Sequence, residues 1–404
     1  MLKRLRWPTA LLVVVGGLGG GFAGFQVTRP LPRPVEVSSV SAAVTLPGTA
    51  PHLPWPRTGE AAVAVDGIGL VGSAGGNRPI PTASTAKIMT AYVILRAHPL
   101  VLGASGPSLS ISPADVHHFQ VEQAANDSVL PVAAGEHLTE YQLLEALLLP
   151  SADNIAEILA RWDAGSVPAF VAKMNATARR LGMGSTTYAD ASGLDPRTVS
   201  TPADLIRVTE AALRLPVFAA IVAKTSAVLP VAGRVTNYNT LLGEDGIVGV
   251  KTGWTPSSGG VLVFAARRTV AGRSLMIVGA VMGQRRGYQL LTALTVSWRL
   301  VVATERVLTV QRVLTAGTVV GTLRLPWIRR PVPVVTGDLT VRGWQGLGGT
   351  MSLQWRRARW HWPAAAGVVV GRLTARFGTE QMTVPVRLGQ RVPAPTLQWR
   401  LTRP

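Results

Sequence analysis

The spacing of the apolar residues changes twice along the middle of the chain, and this order constrains the fold more than any other feature. Residues 61–74 are typical of a strand, a Gly turn and a second strand. Helical periodicity begins at Thr85 and dominates residues 138–215, and strand patterns return over 246–283. Strands on both sides of a helical region predict an α+β domain whose sheet is split in sequence.

Composition divides the chain of 404 residues into four segments. An uncharged apolar run is followed by a stretch rich in proline, and beyond about residue 305 short β-branched runs alternate with Gly and Pro turns. We therefore predict a signal-anchor segment (1–28), an extended Pro-rich tether (29–57), an α+β domain (58–304) and a smaller all-β domain (305–404). Most tryptophans of the last segment are interpreted as core or packing residues, with a glycan-binding face as the alternative: Trp327, Trp344, Trp355, Trp360, Trp362 and Trp399.

The amino-terminal segment predicts a membrane anchor. No charged residue occurs between Arg6 and Arg29, which is enough for a bilayer-spanning helix of about 20 apolar residues. Basic residues before this run predict a cytoplasmic amino terminus and a single-pass protein whose catalytic part lies on the extracellular, cell-wall side. Secretion after cleavage of a signal peptide is the alternative.

The net charge of +19 narrows the classes of partner. The basic residues are scattered and form no Lys/Arg-rich block with interleaved aromatics, so we expect no nucleic acid partner. An anionic surface such as a membrane or a cell-wall polymer is the better match. The chain has no cysteine, and His117 and His118 are adjacent without metal-ligand spacing, so we expect no metal and no cofactor.

A serine and a lysine lie one helical turn apart in "PTASTAKIMTAYVIL", in a chain with very few lysines. If Ser84 starts a helix, Lys87 lies on the same face and is close enough to exchange a proton with it. A serine hydroxyl needs such a base to become a nucleophile, and a lysine serves only when burial or a nearby cation lowers its pKa. Alone, the pair is equally typical of a helix cap followed by a solvated lysine.

Two further motifs follow in order. In "LLLPSADNIAEILA", Ser151 precedes a helix with Asp153 and Asn154 in its first turn, which alone reads as an ordinary helix start. In "GIVGVKTGWT", strand periodicity places Lys251 and Gly253 on one face. A lysine beside open backbone suits a substrate carboxylate that docks along an edge strand.

Together, these three motifs form the signature set of penicillin-binding proteins and serine β-lactamases. From about Ala61 to about Arg299 the chain resembles the low-molecular-weight, serine-type D-Ala-D-Ala carboxypeptidases, also in "AGEHLTEYQLLEALLLPSADNIAEILA" and "FVAKMNATARRLGMGSTTYADASGLDPRTVSTPADL". The resemblance implies a β-lactamase-like catalytic domain, with an antiparallel sheet and a helical region, followed by a small β-rich domain.

The resemblance also implies a role for each motif residue. Ser84 attacks the bond between the two terminal D-alanines of a peptidoglycan stem peptide, with Lys87 as general base and Ser151 as the relay to the departing D-alanine. Lys251 and Thr252, next to Gly253, hold the terminal carboxylate, and the positive charge of Lys251 helps to keep Lys87 neutral. The N–H groups of Ser84 and Trp254 form the oxyanion hole. β-Lactam antibiotics would acylate the same serine.

One position departs from the family pattern. Asparagine is usual as the third residue of the second motif, where this chain has Asp153 followed by Asn154, and either residue could take its place. The alternatives to a carboxypeptidase are a DD-endopeptidase, a serine β-lactamase or a non-catalytic wall-binding scaffold. No Glu-x-x-Leu-Asn string supplies a deacylating base, so a penicillin adduct is expected to persist.

Overall fold

The structure is a computed structural model that describes residues 19–76, 78–356 and 360–404. The chain divides into two compact units. The larger unit comprises Gly48–Val310 and Arg342–Leu347. The smaller unit comprises the described residues up to Pro47 together with Gln311–Val341 and Gly348–Pro404.

The strands and helices follow the predicted alternation. The strands are β1 (Val35–Ser38), β2 (Ala43–Thr45), β3 (Glu60–Val65), β4 (Gly69–Ala74), β5 (Ile80–Pro81), β6 (Ser108–Ser110), β7 (His137–Thr139), β8 (Val199–Ser200), β9 (Ser226–Leu229), β10 (Gly233–Thr236), β11 (Ile247–Thr255), β12 (Gly259–Val270), β13 (Arg273–Gln284), β14 (Thr309–Leu314), β15 (Val319–Arg324), β16 (Val332–Thr336), β17 (Leu339–Gly343), β18 (Gly348–Trp355), β19 (Val369–Phe377) and β20 (Glu380–Leu388). The α-helices are α1 (Lys87–Ala97), α2 (Pro113–Ala124), α3 (Glu140–Leu148), α4 (Asp153–Ala164), α5 (Val167–Arg180), α6 (Pro202–Leu213), α7 (Pro216–Val222), α8 (Gln289–Val307) and α9 (Leu397–Thr402).

The five-stranded sheet of the larger unit is built from two distant stretches of sequence, as the α+β prediction requires. Its order is β11-β12-β13-β3-β4, and every neighbouring pair is antiparallel. All six residues of β3 are buried, which agrees with the apolar run of five residues that follows Glu60. This arrangement leaves β11, the strand with the Lys-Thr-Gly motif, at one edge of the sheet.

A local cap fixes the helix before the second motif, and core packing fixes the helix that begins in the first motif. Thr139 caps α3: its side chain accepts a hydrogen bond from the N–H of Gln142, whose own side chain accepts one from the N–H of Thr139. Helix α1 is central to the core, and its Ile88, Met89 and Ile94 are fully buried. Since α1 begins at Lys87, packing of this helix fixes the position of the first motif.

The smaller unit contains a seven-stranded sheet of order β1-β15-β16-β20-β19-β18-β2. Segment 29–57, which we expected to be an extended tether, contributes the two edge strands β1 and β2 instead. Each of these strands contains β-branched residues and pairs with a partner about 300 residues away in sequence, a pairing that local composition does not reveal.

We interpreted most tryptophans of segment 305–404 as core or packing residues, and partial burial is what the structure shows for most of them. Of the six, only Trp344 is buried, and the other five are half-buried. Aliphatic side chains and Phe377 form the buried interior of the seven-stranded sheet. Tryptophan is large and carries an N–H that needs a partner, which favours such partial burial.

The predicted signal anchor falls largely on residues 1–18, which lie outside the described residues. Residues 19–28, the part of it that the structure describes, are helical. None of the described helices combines the length and the apolar character that crossing a membrane requires.

Candidate active site

Ser84 lies in a short 3-10 helix, Ala83–Ala86, that leads directly into α1. Ala83 has φ 48°, in the left-handed region, and glycine backbone packs around this turn. A Cβ at Gly193 would overlap the carbonyl oxygen of Ala83, and a Cβ at Gly253 would lie 3.1 Å from the Ser84 nitrogen. The turn is therefore held by close backbone contacts, and Ser84 itself remains half-buried.

Lys87 is completely buried and its ammonium nitrogen is the centre of the site. Nζ lies 2.9 Å from Ser84 Oγ, 3.1 Å from the carbonyl oxygen of Ser192 and 2.5 Å from Asp153 Oδ1. The predicted contact between Ser84 and Lys87 is thus present in the structure. None of the sequence motifs indicated Ser192. Its loop is ordered by Asp190, which accepts hydrogen bonds from the N–H groups of Gly193 and Leu194.

The structure distinguishes between the two candidates for the family asparagine. Asp153 faces Lys87, and burial raises the pKa of its carboxyl, against the lowering effect of the Lys87 charge. Asn154 points away from the site: its amide accepts from the N–H of Leu130 and donates to the carbonyl of the same residue. Asn154 therefore anchors the backbone that precedes the second motif.

Ser151 is buried beside this pair and has φ 69°, in the left-handed region. Its hydroxyl is buried without a hydrogen-bond partner in the described part of the chain. A buried hydroxyl without a partner costs free energy, so its retention is typical of a group that bonds a substrate. Asp153 begins α4 two residues later, which sets the direction of both side chains.

Lys251, on the edge strand β11, is also buried, and its Nζ donates to the carbonyl of Thr252 at 3.1 Å. Burial lowers the pKa of Lys251 well below its usual value, the charge of Lys87 lowers it further, and the charge of Asp153 acts in the opposite direction. The expected effect of the Lys251 charge on Lys87 stays a prediction. Within the described residues, the Lys251 ammonium group forms no salt bridge.

Trp254 follows at the rim of the site. Its side chain is 52% exposed, and the indole N–H donates to Gln289 Oε1 at 2.8 Å. The contact fixes the indole at the beginning of α8, so the end of β11 that presents Thr252 and Gly253 is held in place.

A group of potential metal ligands lies on α2 and α4, which the sequence analysis did not find. His118, Glu122 and Glu157 bring ligand atoms within 4.8 Å of one another. The signal was His118 and Glu122 at i and i+4 on one helix face. Burial, reinforced by Glu157 and Asp153, raises the pKa of Glu122 to about 7. Glu157 is already bonded to Arg161 at 3.1 Å, and none of the three contacts Ser84 or Lys87.

Comparison with known proteins defines the class. A family model described as D-alanyl-D-alanine carboxypeptidase matches residues 69–285, more than half of the chain. D-alanyl-D-alanine carboxypeptidase DacB2 of Mycobacterium tuberculosis is 37% identical over 204 residues, which cover 49% of this chain and 65% of that relative. The chain thus spans just under two thirds of the length of this relative.

Solved structures agree on the fold. The Streptomyces K15 DD-transpeptidase superposes with a TM-score of 0.52 at 26% identity, over 64% of this chain and 98% of that one. Penicillin-binding protein 5 of Haemophilus influenzae covers 86% of this chain and 100% of its own, with a TM-score of 0.60 and 19% identity, and supports the fold alone. The larger unit therefore has a penicillin-binding-protein-like α/β fold. The chain belongs to the D-alanyl-D-alanine carboxypeptidase family.

Proposed function

We propose that the protein is a serine D-Ala-D-Ala carboxypeptidase that removes the terminal D-alanine from peptidoglycan stem pentapeptides during cell-wall remodelling. The observation that carries the proposal is the 2.9 Å contact between Ser84 Oγ and the buried Lys87 Nζ, beside an edge strand with Lys251 and Thr252. A nucleophile bonded to its base, next to a strand that can bind an extended peptide, matches acyl transfer.

In the acylation step, Ser84 Oγ attacks the carbonyl carbon of the penultimate D-alanine and its proton passes to Lys87 Nζ. Lys87 accepts this proton when the proton shared by Lys87 and Asp153 is on the Asp153 carboxyl. Burial favours that position, because it makes this carboxyl a stronger proton acceptor. The C–N bond then breaks, and the departing D-alanine nitrogen takes a proton through the Ser151 hydroxyl. An ester of Ser84 remains.

The negative charge on the carbonyl oxygen is stabilised by the N–H groups of Ser84 and Trp254. Removing one such donor typically costs about 2.7–4 kcal/mol of transition-state stabilisation. Water then attacks the ester, Lys87 takes a proton from the water, and Ser84 regains its hydroxyl as the tetrapeptide leaves.

The terminal carboxylate of the peptide binds Lys251 and the hydroxyl of Thr252. The peptide adds to the free edge of β11 as a further strand, with Gly253 leaving space for its backbone. Because burial lowers the pKa of Lys251, binding of the carboxylate is accompanied by proton uptake at this lysine. β-Lactams, which carry a carboxylate beside a strained amide, acylate Ser84 in the same orientation.

The proposal is tested by incubating the purified protein with a peptide ending in D-Ala-D-Ala and measuring free D-alanine, with Ser84→Ala as the control. Release by the wild type alone supports the carboxypeptidase. Cleavage of a crosslinked muropeptide dimer without D-alanine release would identify an endopeptidase instead. Turnover of benzylpenicillin would identify a β-lactamase, and absence of all three activities in folded protein would leave the scaffold alternative.

The same proposal includes the location of the enzyme. The charge-free run between Arg6 and Arg29, preceded by Lys3 and Arg4, supports a single-pass anchor that keeps the catalytic unit on the cell-wall side. We expect the full chain in the membrane fraction, and degradation of the catalytic unit when protease is added to spheroplasts. A full chain that stays in the soluble fraction, or a catalytic unit protected until the cells are lysed, would contradict it.

A further inference from the structure

Four tryptophans of the smaller unit form one continuous cluster. The ring centroid of Trp327 lies 5.8 Å from that of Trp362 and 5.4 Å from that of Trp399, both edge-on. Trp360 stacks on Trp362 with an interplanar angle of 1° and a centroid distance of 5.7 Å. Since all four are half-buried, the cluster lies at the surface of the unit rather than in its interior.

This cluster is held rigidly by segments that are far apart in sequence. Trp327 lies between β15 and β16, Trp360 and Trp362 lie between β18 and β19, and Trp399 belongs to α9. The indole N–H of Trp327 donates to the carbonyl of Pro393 at 3.1 Å. Aromatic pairs of this geometry contribute about 0.5–1.5 kcal/mol each beyond their buried area, so the rings are fixed before any ligand binds.

A cavity of about 400 Å³ opens beside the outermost ring of the cluster. Its wall comprises Trp360, the side chains of Arg356 and His361, and an apolar floor that includes Val369 and Leu388. Neither the Arg356 guanidinium nor the His361 ring has a hydrogen-bond partner within the described residues. Small-molecule sites combine a concave apolar surface of about 300–1,000 Å³ with a few such polar groups.

The chemistry of this cavity selects among ligands. A flat indole face matches the flat C–H face of a pyranose ring, and the nitrogen donors of Arg356 and His361 suit the carbonyl and carboxylate oxygens of acylated amino sugars. A membrane surface would favour tryptophans spread over a convex face rather than a ring that lines a cavity. The cavity also belongs wholly to the smaller unit, so it requires no residue of the catalytic site.

From these observations we infer that the cavity beside Trp360 is a binding site for an N-acetylated amino-sugar strand, with Trp360 as the stacking surface and Arg356 as the hydrogen-bond donor. The choice of a wall glycan as the source of that strand rests on the proposed function. The site would keep the enzyme on the polymer whose stem peptides it trims, and the catalytic residues would be unaffected by its loss.

The test measures binding of a β-1,4-linked N-acetylglucosamine tetramer to the full protein by titration calorimetry. The wild type and Ser84→Ala should bind equally, and Trp360→Ala and Arg356→Gln should each weaken binding at least about tenfold. Trp298→Ala removes an exposed indole from the larger unit and should bind as the wild type does. The melting temperature establishes that each variant is folded, and acylation by benzylpenicillin does so as well for the variants that retain Ser84.

Absence of sugar binding in a wild type that is acylated by benzylpenicillin would overturn the inference and leave the proposed function standing. So would unchanged binding in both Trp360→Ala and Arg356→Gln, or an equal loss in Trp298→Ala. Binding of phosphatidylglycerol vesicles in place of the sugar, with loss in Trp360→Ala, would assign the cluster to a lipid surface and would also overturn it. Sugar binding without penicillin acylation would retain the inference and contradict the proposed function.

Discussion

Lys87 Nζ and Asp153 Oδ1 lie 2.5 Å apart, and both side chains are almost completely shielded from water. Asparagine is usual in the family at the third place of the second motif, where this chain has an acid in contact with Lys87. A carboxylate favours the ammonium form of a neighbouring lysine, whereas an amide does not. The pH at which Ser84 becomes reactive should therefore depend on residue 153.

Asp153→Asn should change the acid limb of the acylation rate, because it replaces a carboxyl whose pKa is raised by burial with an amide that does not titrate. The second-order rate of acylation by benzylpenicillin, measured from pH 4 to pH 9, checks this. An unchanged profile would mean that Asp153 does not control the proton on the base.

Asp153→Ala should destabilise the protein by about 3–5 kcal/mol, because it leaves the buried Lys87 without its counter-charge. Asn154→Ala is the matched neighbour and should lose about 1–3 kcal/mol through the unsatisfied backbone of Leu130, with acylation retained in the folded fraction. Urea unfolding of both variants gives the free energies. Loss of acylation in folded Asn154→Ala would contradict the assignment of the two residues.

Lys251→Met should stabilise the protein at pH 7, by up to about 1–4 kcal/mol, because it removes a buried amine with little compensation. Burial lowers the pKa of this lysine, so the folded state binds fewer protons than the unfolded chain, and its contribution to stability increases as the pH rises. The gain from the substitution should accordingly shrink toward high pH.

The same Lys251→Met variant should bind the peptide substrate poorly, with KM raised about 10- to 100-fold. In the wild type, KM should rise with pH, since a smaller fraction of Lys251 side chains then carries the proton that binding of the substrate carboxylate requires. Melting curves and steady-state kinetics from pH 5 to pH 9 test both statements. A variant that is less stable than the wild type at every pH would show that Lys251 is compensated in the free protein.

Gly193→Ala should reduce acylation at least about 100-fold, because a Cβ would overlap the carbonyl of Ala83 and displace the turn that holds Ser84. Gly182→Ala provides the control, since Gly182 has a similar positive φ of 72° but a Cβ there would meet no atom within 4 Å. That control should cost about 1–3 kcal/mol of backbone strain and leave acylation intact. Equal acylation by the two variants would argue against a role for this contact.

Glu140 should make stability decrease as the pH rises. It is fully buried, neither carboxyl oxygen has a hydrogen-bond partner in the described part of the chain, and burial raises its pKa from 4.5 to about 7. The folded state therefore holds the proton more tightly than the unfolded chain. The stability that depends on this proton decreases as the pH rises from about 4.5 to about 7, and it is absent at higher pH.

Glu140→Gln should remove this dependence, with similar stability to the wild type at pH 4 and a gain of about 1–3 kcal/mol at pH 9. Glu244→Gln, at an exposed position, is the control and should change stability little at either pH. A Glu140→Gln variant whose stability falls with pH as steeply as that of the wild type would show that another group is responsible.

Local signals explain which parts of the site were predictable from sequence. The spacing of Ser84 and Lys87, the Thr139 cap and the strand periodicity around Lys251 each depend on neighbouring residues, and each appears in the structure. Adjacent helical residues point about 100° apart, so the choice between Asp153 and Asn154 depended on where α4 begins. The left-handed backbone of Ser151 sets that point, and a non-glycine residue does not indicate such a conformation in advance.

Other features of the fold and the site depend on contacts between residues that are far apart in the sequence, which local patterns do not reveal. The carbonyl of Ser192 reaches Lys87 over 105 residues, and β1 pairs with a strand nearly 300 residues away. Short edge strands such as β1 and β2 carry too few residues for a periodic pattern. The aromatic cluster around Trp327 combines three distant segments, so the sequence showed the tryptophans but not that they meet at the surface.

Intact mass spectrometry after exposure to benzylpenicillin tests the central claim most directly. We expect the wild type to gain the mass of one drug molecule, peptide mapping to place it on Ser84, and Ser84→Ala to remain unmodified. An adduct that persists in Ser84→Ala, an adduct mapped to another residue, or no adduct on well-folded wild type would contradict the account.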